Sequence, residues 1–294
     1  MTRDRIVGGN TGRARENRLI TATVLNFVIT IAEVIGGLLS NSLALLSDAL
    51  HNLGDTVAVF IAWIANKVSK KGTSGRQTFG YKRVEILAAL FNAVVLVVIS
   101  IYLFIEALER LKDPQPVKGL IMFIVATVGF IANLVAVFIL HKDSSYNINV
   151  RAAYLHLLGD TISSVAVIVG SIFIYFWEVY WIDPVVTFLI GIYILRETYS
   201  ILKETVNILM QGSPYGMDIQ TMKHALEKLE GVENIHHIHL WSLSDQQVHF
   251  ECHMDLNKDY VISEADRIRE EAVRMLKKEF HVQHVTIQVE YGRC

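Results

Sequence analysis

Two stretches of this chain, Leu50-His51-Asn52-Leu53-Gly54-Asp55-Thr56 and Leu155-His156-Leu157-Leu158-Gly159-Asp160-Thr161, repeat one phrase, each with a His and an Asp four positions apart. On a helix such positions share a face, about 5–6 Å from each other. The two phrases together offer two imidazoles and two carboxylates, His51, Asp55, His156 and Asp160, enough to fill a tetrahedral Zn²⁺ shell. Nitrogen with carboxylate oxygen also suits Co²⁺ or Cd²⁺, whereas Cu(I) selects thiolate or thioether. Asp48, three residues before His51, is placed to replace or to support a ligand. The competing reading is structural, with His and Asp hydrogen-bonding across helices. Repetition argues against it, because two related phrases fit a transporter built from related helices around a midplane site. The Gly before each Asp leaves room for close helix approach.

A second collection lies near the C-terminus: His236, His237, His239, His249, His253, His281 and His284, with Glu251, Asp255 and Glu290. Alternation over 247–256 sets Val248, Phe250, Cys252 and Met254 against His249, Glu251, His253 and Asp255. Over 282–291, Val285, Ile287 and Val289 alternate with His284, Thr286, Gln288 and Glu290. One polar sheet face can therefore gather His and carboxylate groups into a metal site. The alternative for any single His is a solvated face.

The elements that must hold the first quartet are membrane spans. Of 294 residues 52% are hydrophobic and 19% charged, too apolar for an ordinary soluble enzyme. Six apolar runs reach the roughly 20 residues that a helical span needs. They cover about 19–39, 43–66, 84–108, 118–140, 152–176 and 181–202. Ionisable groups inside such runs are expensive, so Asp55, Asp160 and the two His point to function, while Asp48 fits a supporting or a structural role and Glu33 reads as an interhelical hydrogen bond or pathway lining. Asn26, Asn92, Glu106 and Asn133 read as interhelical hydrogen bonds or pathway lining.

Loop charges set the orientation. Arg3, Arg5, Arg13, Arg15 and Arg18, then Lys67, Lys70, Lys71, Arg76, Lys82 and Arg83, then Lys142 and Arg151 fall on one side, against Arg110, Lys112 and Lys118 on the other. The positive-inside rule makes this a multi-pass protein with both termini in the cytoplasm. No signal peptide is visible in the polar, Arg-rich first 18 residues. A formal net charge of −2 argues against nucleic acid as partner. Cys252 and Cys294 support neither a disulfide framework nor a Cys-rich zinc module.

The domains expected are a cytoplasmic segment over 1–18, a transport domain over 19–210 and a cytoplasmic domain over 211–294. Within the last, 218–229 reads as an amphipathic helix, 234–243, 247–256 and 282–291 as strands, and 263–280 as a helix capped by Ser263. The order gives a small α+β sandwich. With about 80 residues its core is modest, so a partner or a metal helps to hold it.

The chain resembles the cation diffusion facilitator family, most of all its bacterial zinc/cadmium/cobalt exporters. The resemblance rests on 42–55 (SLALLSDALHNLGD), 79–88 (FGYKRVEILA), 156–160 (HLLGD), 239–243 (HLWSL) and 284–290 (HVTIQVE). It implies a six-helix membrane bundle with a ferredoxin-like C-terminal domain, assembled as a homodimer. It implies a zinc-type transport site on His51, Asp55, His156 and Asp160. It further implies a cytoplasmic metal site matching His236, His253 and Glu290, with His284 or His239 as a further ligand, because Gln283 falls where some relatives have a His. The 72–78 loop lacks the His or acidic residues with which some relatives bind metal. The short link between spans four and five favours a bacterial origin.

The function expected is Zn²⁺ efflux through the inner (plasma) membrane in exchange for protons, with Cd²⁺ and Co²⁺ as further cargo, serving metal homeostasis and resistance. Metal ligands must be deprotonated, so metal and proton compete for the same groups. His51 and His156 are the expected proton carriers. No obligatory cofactor is expected: Zn²⁺ is substrate and, on the cytoplasmic domain, regulator. An intramembrane metalloenzyme would want a His-Glu-x-x-His helix, which is absent. A metal sensor anchored by the bundle, and a proton-coupled organic-cation carrier, which would not need a tetrahedral ligand set, are the remaining readings.

Overall fold

The computed structural model describes residues 24–144, 148–245 and 247–292. The N-terminal segment over 1–18, with its five arginines, and the start of the first expected span lie outside the described residues, as does Cys294. Contacts divide the chain into two compact units, Met1–Ile61 with Asn92–Ser200 and Ala62–Phe91 with Ile201–Cys294.

Six helices occupy the apolar runs: α1 (Val24–Ser40), α2 (Leu43–Ser69), α3 (Val84–Lys112), α4 (Gly119–Ser144), α5 (Ile148–Trp177) and α6 (Ile182–Leu209). Among the described residues, four stretches are long and apolar enough to cross a membrane: Val84–Lys112, Gly119–His141, Tyr154–Trp177 and Ile182–Leu209. The 29 residues of α3 extend roughly 44 Å, more than the hydrocarbon core requires. Helix α2, with 27 residues, is nearly as long, but Asp48, His51 and Asp55 make it less apolar.

In the first unit Leu45, Met122 and Ile174 are fully buried, with Ala44 and Ala126 small enough to let helices approach. Large apolar side chains also face outward, Phe138 and Ile162 among them, each about 70% exposed. Around an apolar bundle such a surface suits lipid rather than water. The start of α2 is fixed by a carboxylate from α6. Asp183 accepts from Ser42 Oγ (2.5 Å), Leu43 N (2.7 Å) and Ala44 N (3.3 Å). The last two are amide donors that a helix start leaves without partners. Asn41 turns the chain from α1 to α2 at φ 60°. Arg110 holds it there, donating to the Asn41 carbonyl (2.7 Å) and side-chain oxygen (3.1 Å).

In the second unit the C-terminal segment forms α7 (Ile219–Leu226), β1 (Val232–Ser244), β2 (Gln247–Leu256), α8 (Ile262–Glu279) and β3 (His284–Glu290). The sheet runs β1-β2-β3, with β1 antiparallel to the central β2 and β3 parallel to it. A parallel neighbour needs a crossover, and α8 supplies it. Met222 and Leu226 of α7 and Ala272 and Leu276 of α8 pack with Ile235, Phe250, Cys252 and Met254 into one core. Burial there, with Glu251 nearby, pushes the Cys252 thiol up to about 12.

Two helix ends differ from the sequence expectation. The residue before α8 is Val261, which makes no side-chain cap bond, so Ser263 does not cap the helix. The Val261 carbonyl accepts from Glu264 N (2.9 Å) and Ala265 N (3.0 Å), which starts the helix one residue early. Asp266 instead pairs with Arg269 at 2.6 Å. Helix α7 stops at Leu226 rather than at 229, and a turn through Gly231 (φ 93°) leads into β1.

Candidate metal centres

The repeated phrases fall on α2 and α5, and both spacings place His and Asp one helical turn apart. Across the two helices the four side chains close a ring. His51 Nε2 lies 3.4 Å from Asp55 Oδ2 and 4.0 Å from Asp160 Oδ1, and His156 Nε2 lies 3.4 Å from the same Asp55 oxygen and 3.6 Å from Asp160 Oδ2. Tetrahedral ligands about 2.0–2.2 Å from Zn²⁺ stand roughly 3.3–3.6 Å apart. Three of these four His–Asp separations fall in that range and the fourth is slightly wider; the group whose ligand atoms all lie within 4.8 Å of one another is His51, His156 and Asp160, with Asp55 beside both His. His51 and Asp160 are buried, while Asp55 and His156 keep about a third of their side chains exposed. Among the described residues no hydrogen bond reaches His51 Nε2, Asp55 Oδ2 or either Asp160 carboxylate oxygen. Buried polar atoms are normally partnered, so this set has the donor chemistry and the open valences of a cation site.

Asp48 is not in the ring. It accepts hydrogen bonds from Ser163 and, at 3.4 Å, from Ser164. Both serine hydroxyls also lie 2.9 Å from the Asp160 carbonyl. Asp48 thus fastens α2 to the turn of α5 that carries Asp160. The two glycines accommodate other neighbours than the facing phrase. A Cβ on Gly54 would meet Leu96 of α3 at 2.5 Å, and one on Gly159 would meet the Tyr193 hydroxyl of α6 at 2.3 Å. Tyr193 and Glu197 were not foreseen. The Tyr193 ring lies 6.5 Å from that of His51, and its hydroxyl donates to Glu197 (2.8 Å). Of the remaining polar points, Glu33 accepts from Asn52 at 3.2 Å, deep in the bundle.

On the sheet, His236, His253 and Glu290 come together, each able to offer one ligand atom within 4.8 Å of the others. His253 Nδ1 lies 3.0 Å from Glu290 Oε1, and His236 Nε2 lies 3.7 Å from Glu290 Oε2. Asp255, almost fully buried, joins them 3.3 Å from His236 Nδ1. It was foreseen on this face but not as part of the group. A β-bulge makes the arrangement. His236 pairs with His253 and His239 with Glu251, so three steps on β1 oppose two on β2. Without the extra residue, His236 and His239 would point to opposite faces. His237 absorbs the kink at φ 51°, a conformation that is costly for a side chain with a Cβ.

His284 does not reach this group. The parallel register pairs it with His249, ring to ring at 4.7 Å, six residues or roughly 20 Å along β3 from Glu290. His239 also stands aside, its ring 4.9 Å from that of His237. The polar face is not simply solvated. His249 is buried, stacked on Trp241 at 5.3 Å, and burial together with His284 holds its imidazole below the usual His range.

Comparison with known proteins gives the family of the chain. The family model of the cation efflux transmembrane domain matches residues 19–210, and that of the cation efflux protein cytoplasmic domain matches 214–291. A zinc transporter, ZitB, of Pectobacterium atrosepticum is 39% identical over 97% of this chain and 88% of its own length. The metal cation efflux system protein CzcD of Cupriavidus metallidurans is 38% identical over 98% of this chain and 89% of its own. A cadmium, cobalt and zinc/H(+)-K(+) antiporter of Bacillus subtilis is 37% identical over 94% and 89%.

Proposed function

The chain belongs to the cation efflux family, and from that premise we propose that it carries Zn²⁺, with Cd²⁺ and Co²⁺ as further cargo, out of the cytoplasm in exchange for protons. It is a membrane protein and a cation transporter rather than an enzyme. The observation that carries the finer reading is the gathering of His51, His156 and Asp160 within 4.8 Å of one another, with Asp55 3.4 Å from both His. The relatives support the cargo, being named for zinc, cadmium and cobalt, and one of them for exchange against H⁺ and K⁺.

In this reading all six helices span the membrane, both termini are cytoplasmic, and the membrane is the inner (plasma) membrane. Metal and proton bind the same ring in turn, because a metal ligand must first lose its proton. The two carboxylates offset the charge of the ion, which an apolar bundle cannot leave bare. Asp48, through Ser163 and Ser164, keeps α2 and α5 in ligating register. Protons arriving from outside release the metal, and the protonated ring returns inward. The C-terminal segment is a ferredoxin-like domain without its first strand, and two copies of the chain pair as a homodimer. Zn²⁺ on His236, His253 and Glu290, with Asp255 behind them, biases the dimer toward transport.

The experiment is Zn²⁺ uptake into inside-out vesicles under an imposed pH gradient. Uptake driven by the gradient in the parent chain and absent in Asp160→Ala is the expected result. A parent that takes up no zinc while its sheet group still binds it would favour the sensor reading instead.

A further inference from the structure

Residues 70–83 connect α2 to α3, so on the six-span reading proposed above they lie at the bilayer surface. Part of this connection, with the first turn of α3, Gln211 and two residues of β1, lines an open cavity of about 480 Å³ within the second unit. Arg76, Lys82 and Arg83 line it, and no Asp or Glu does. Among the described residues these three cations enter no ion pair. Glu85, the nearest acid in sequence, is engaged by the Ser69 hydroxyl at 2.5 Å. Among the described residues Arg83 Nε, shut off from solvent, has no hydrogen-bond partner. A guanidinium donor in that position calls for an anionic acceptor, and its planar fork matches phosphate oxygens.

The rest of the lining is largely of another kind. Val84, Leu87 and Leu243 are apolar, and the rings of Phe79 and Trp241 join them. Both rings are held by His249, Trp241 stacked at 5.3 Å and Phe79 edge-on at 5.6 Å. Leu87 and Phe79 remain more than half exposed. A free inorganic anion has no use for this wall. A phospholipid has a phosphate for the cations and carbon for the apolar side, and basic pockets beside spans recognise such headgroups.

We propose that this cavity binds the phosphate headgroup of an anionic phospholipid, gripped by Arg76, Lys82 and Arg83, with the apolar wall against the first carbons of its chains. The lipid touches both the α2–α3 connection and β1, and so joins the extramembrane sheet to the span beside it. The inference goes beyond the transport reading and does not depend on which ion is carried.

The test is native mass spectrometry of the full chain in detergent, titrated with short-chain phosphatidylglycerol, phosphatidylcholine and inorganic phosphate. The parent is expected to hold one phosphatidylglycerol far more tightly than phosphatidylcholine. Replacing all three cations (Arg76→Gln, Lys82→Gln, Arg83→Gln) weakens phosphatidylglycerol about a hundredfold, and Arg76→Gln alone about fivefold. The single variant, at an exposed loop position, keeps the test open if the triple variant does not fold. Equal binding of the two lipids by the parent, or unchanged phosphatidylglycerol affinity in a folded variant, overturns the proposal. So does displacement of the lipid by inorganic phosphate at millimolar concentration, which would mark a free-anion site. Lipid binding is read without transport, so its failure is distinguishable from a failure of the export reading.

Discussion

The ring on α2 and α5 and the group on the sheet use the same two ligand chemistries and differ in what holds them. In the ring, two ligands come from each helix at helical spacing, so two rigid rods and the serine contacts of Asp48 fix all four. On the sheet, His236, His253 and Glu290 each come from a different strand, and a bulge with His237 at φ 51° aligns the first of them. A site carried by two helices opens when those helices shift against each other. A site spread over three hydrogen-bonded strands does not open without breaking the sheet. The first architecture suits an ion that must leave, and the second an ion that stays and reports.

Changes in the ring have the largest expected effect. Asp160→Asn keeps the shape but removes a charge and a ligand. Zn²⁺ flux into vesicles should fall by more than the roughly 100-fold that loss of an outer partner costs. Flux within tenfold of the parent would remove Asp160 from the path. Next comes Glu290→Gln. Equilibrium dialysis of the full chain should find fewer zinc ions bound, while flux at saturating zinc persists and its zinc dependence shifts upward. A collapse of the maximal flux instead would erase the distinction between the two sites.

Smaller effects sharpen the role of the sheet's supports. Asp218 caps α7, accepting from Gln220 N, Thr221 N and Thr221 Oγ1, and these donors hold its carboxyl below the usual Asp range. The unfolded chain therefore binds that proton more readily, so the cap's contribution is complete above about pH 4 and is lost as pH falls through the lower folded value. Asp218→Ala should speed amide exchange in 219–226 at pH 7, and the difference should vanish in strong acid. The smallest change is expected for His237→Gly. Relief of the left-handed residue offers about 1 kcal/mol, partly offset by the freedom glycine gains when unfolded. Zinc affinity of the sheet should stay unchanged, whereas a tenfold loss would make His237 a ligand.

The ring was legible in the sequence because helical periodicity ties spacing to geometry: once His51 and Asp55 are on a helix, they share a face. The strand of 247–256 was legible for the same reason, its alternation being unbroken. What alternation cannot show is an interruption. The bulge at His237 has no glycine to mark it, so the shared face of His236 and His239 had no signal. The parallel pairing of β3 sets which residues stand beside β2, and it carried His284 to His249, away from His253. Tyr193 and Glu197 sit on α6, whose rotation about its axis is fixed by packing on Gly159 and not by any motif. Ser263 matched a capping pattern, but the chain begins its helix from the Val261 carbonyl.

The most direct measurement compares two variants in one assay: Zn²⁺ flux into inside-out vesicles across a range of zinc concentrations and pH gradients. One variant carries Asp160→Asn and the other carries His236→Ala, His253→Ala and Glu290→Gln together. The account predicts no gradient-driven flux in the first, and in the second a retained maximal flux with a shifted zinc dependence. Flux retained in the first variant and lost in the second would contradict it.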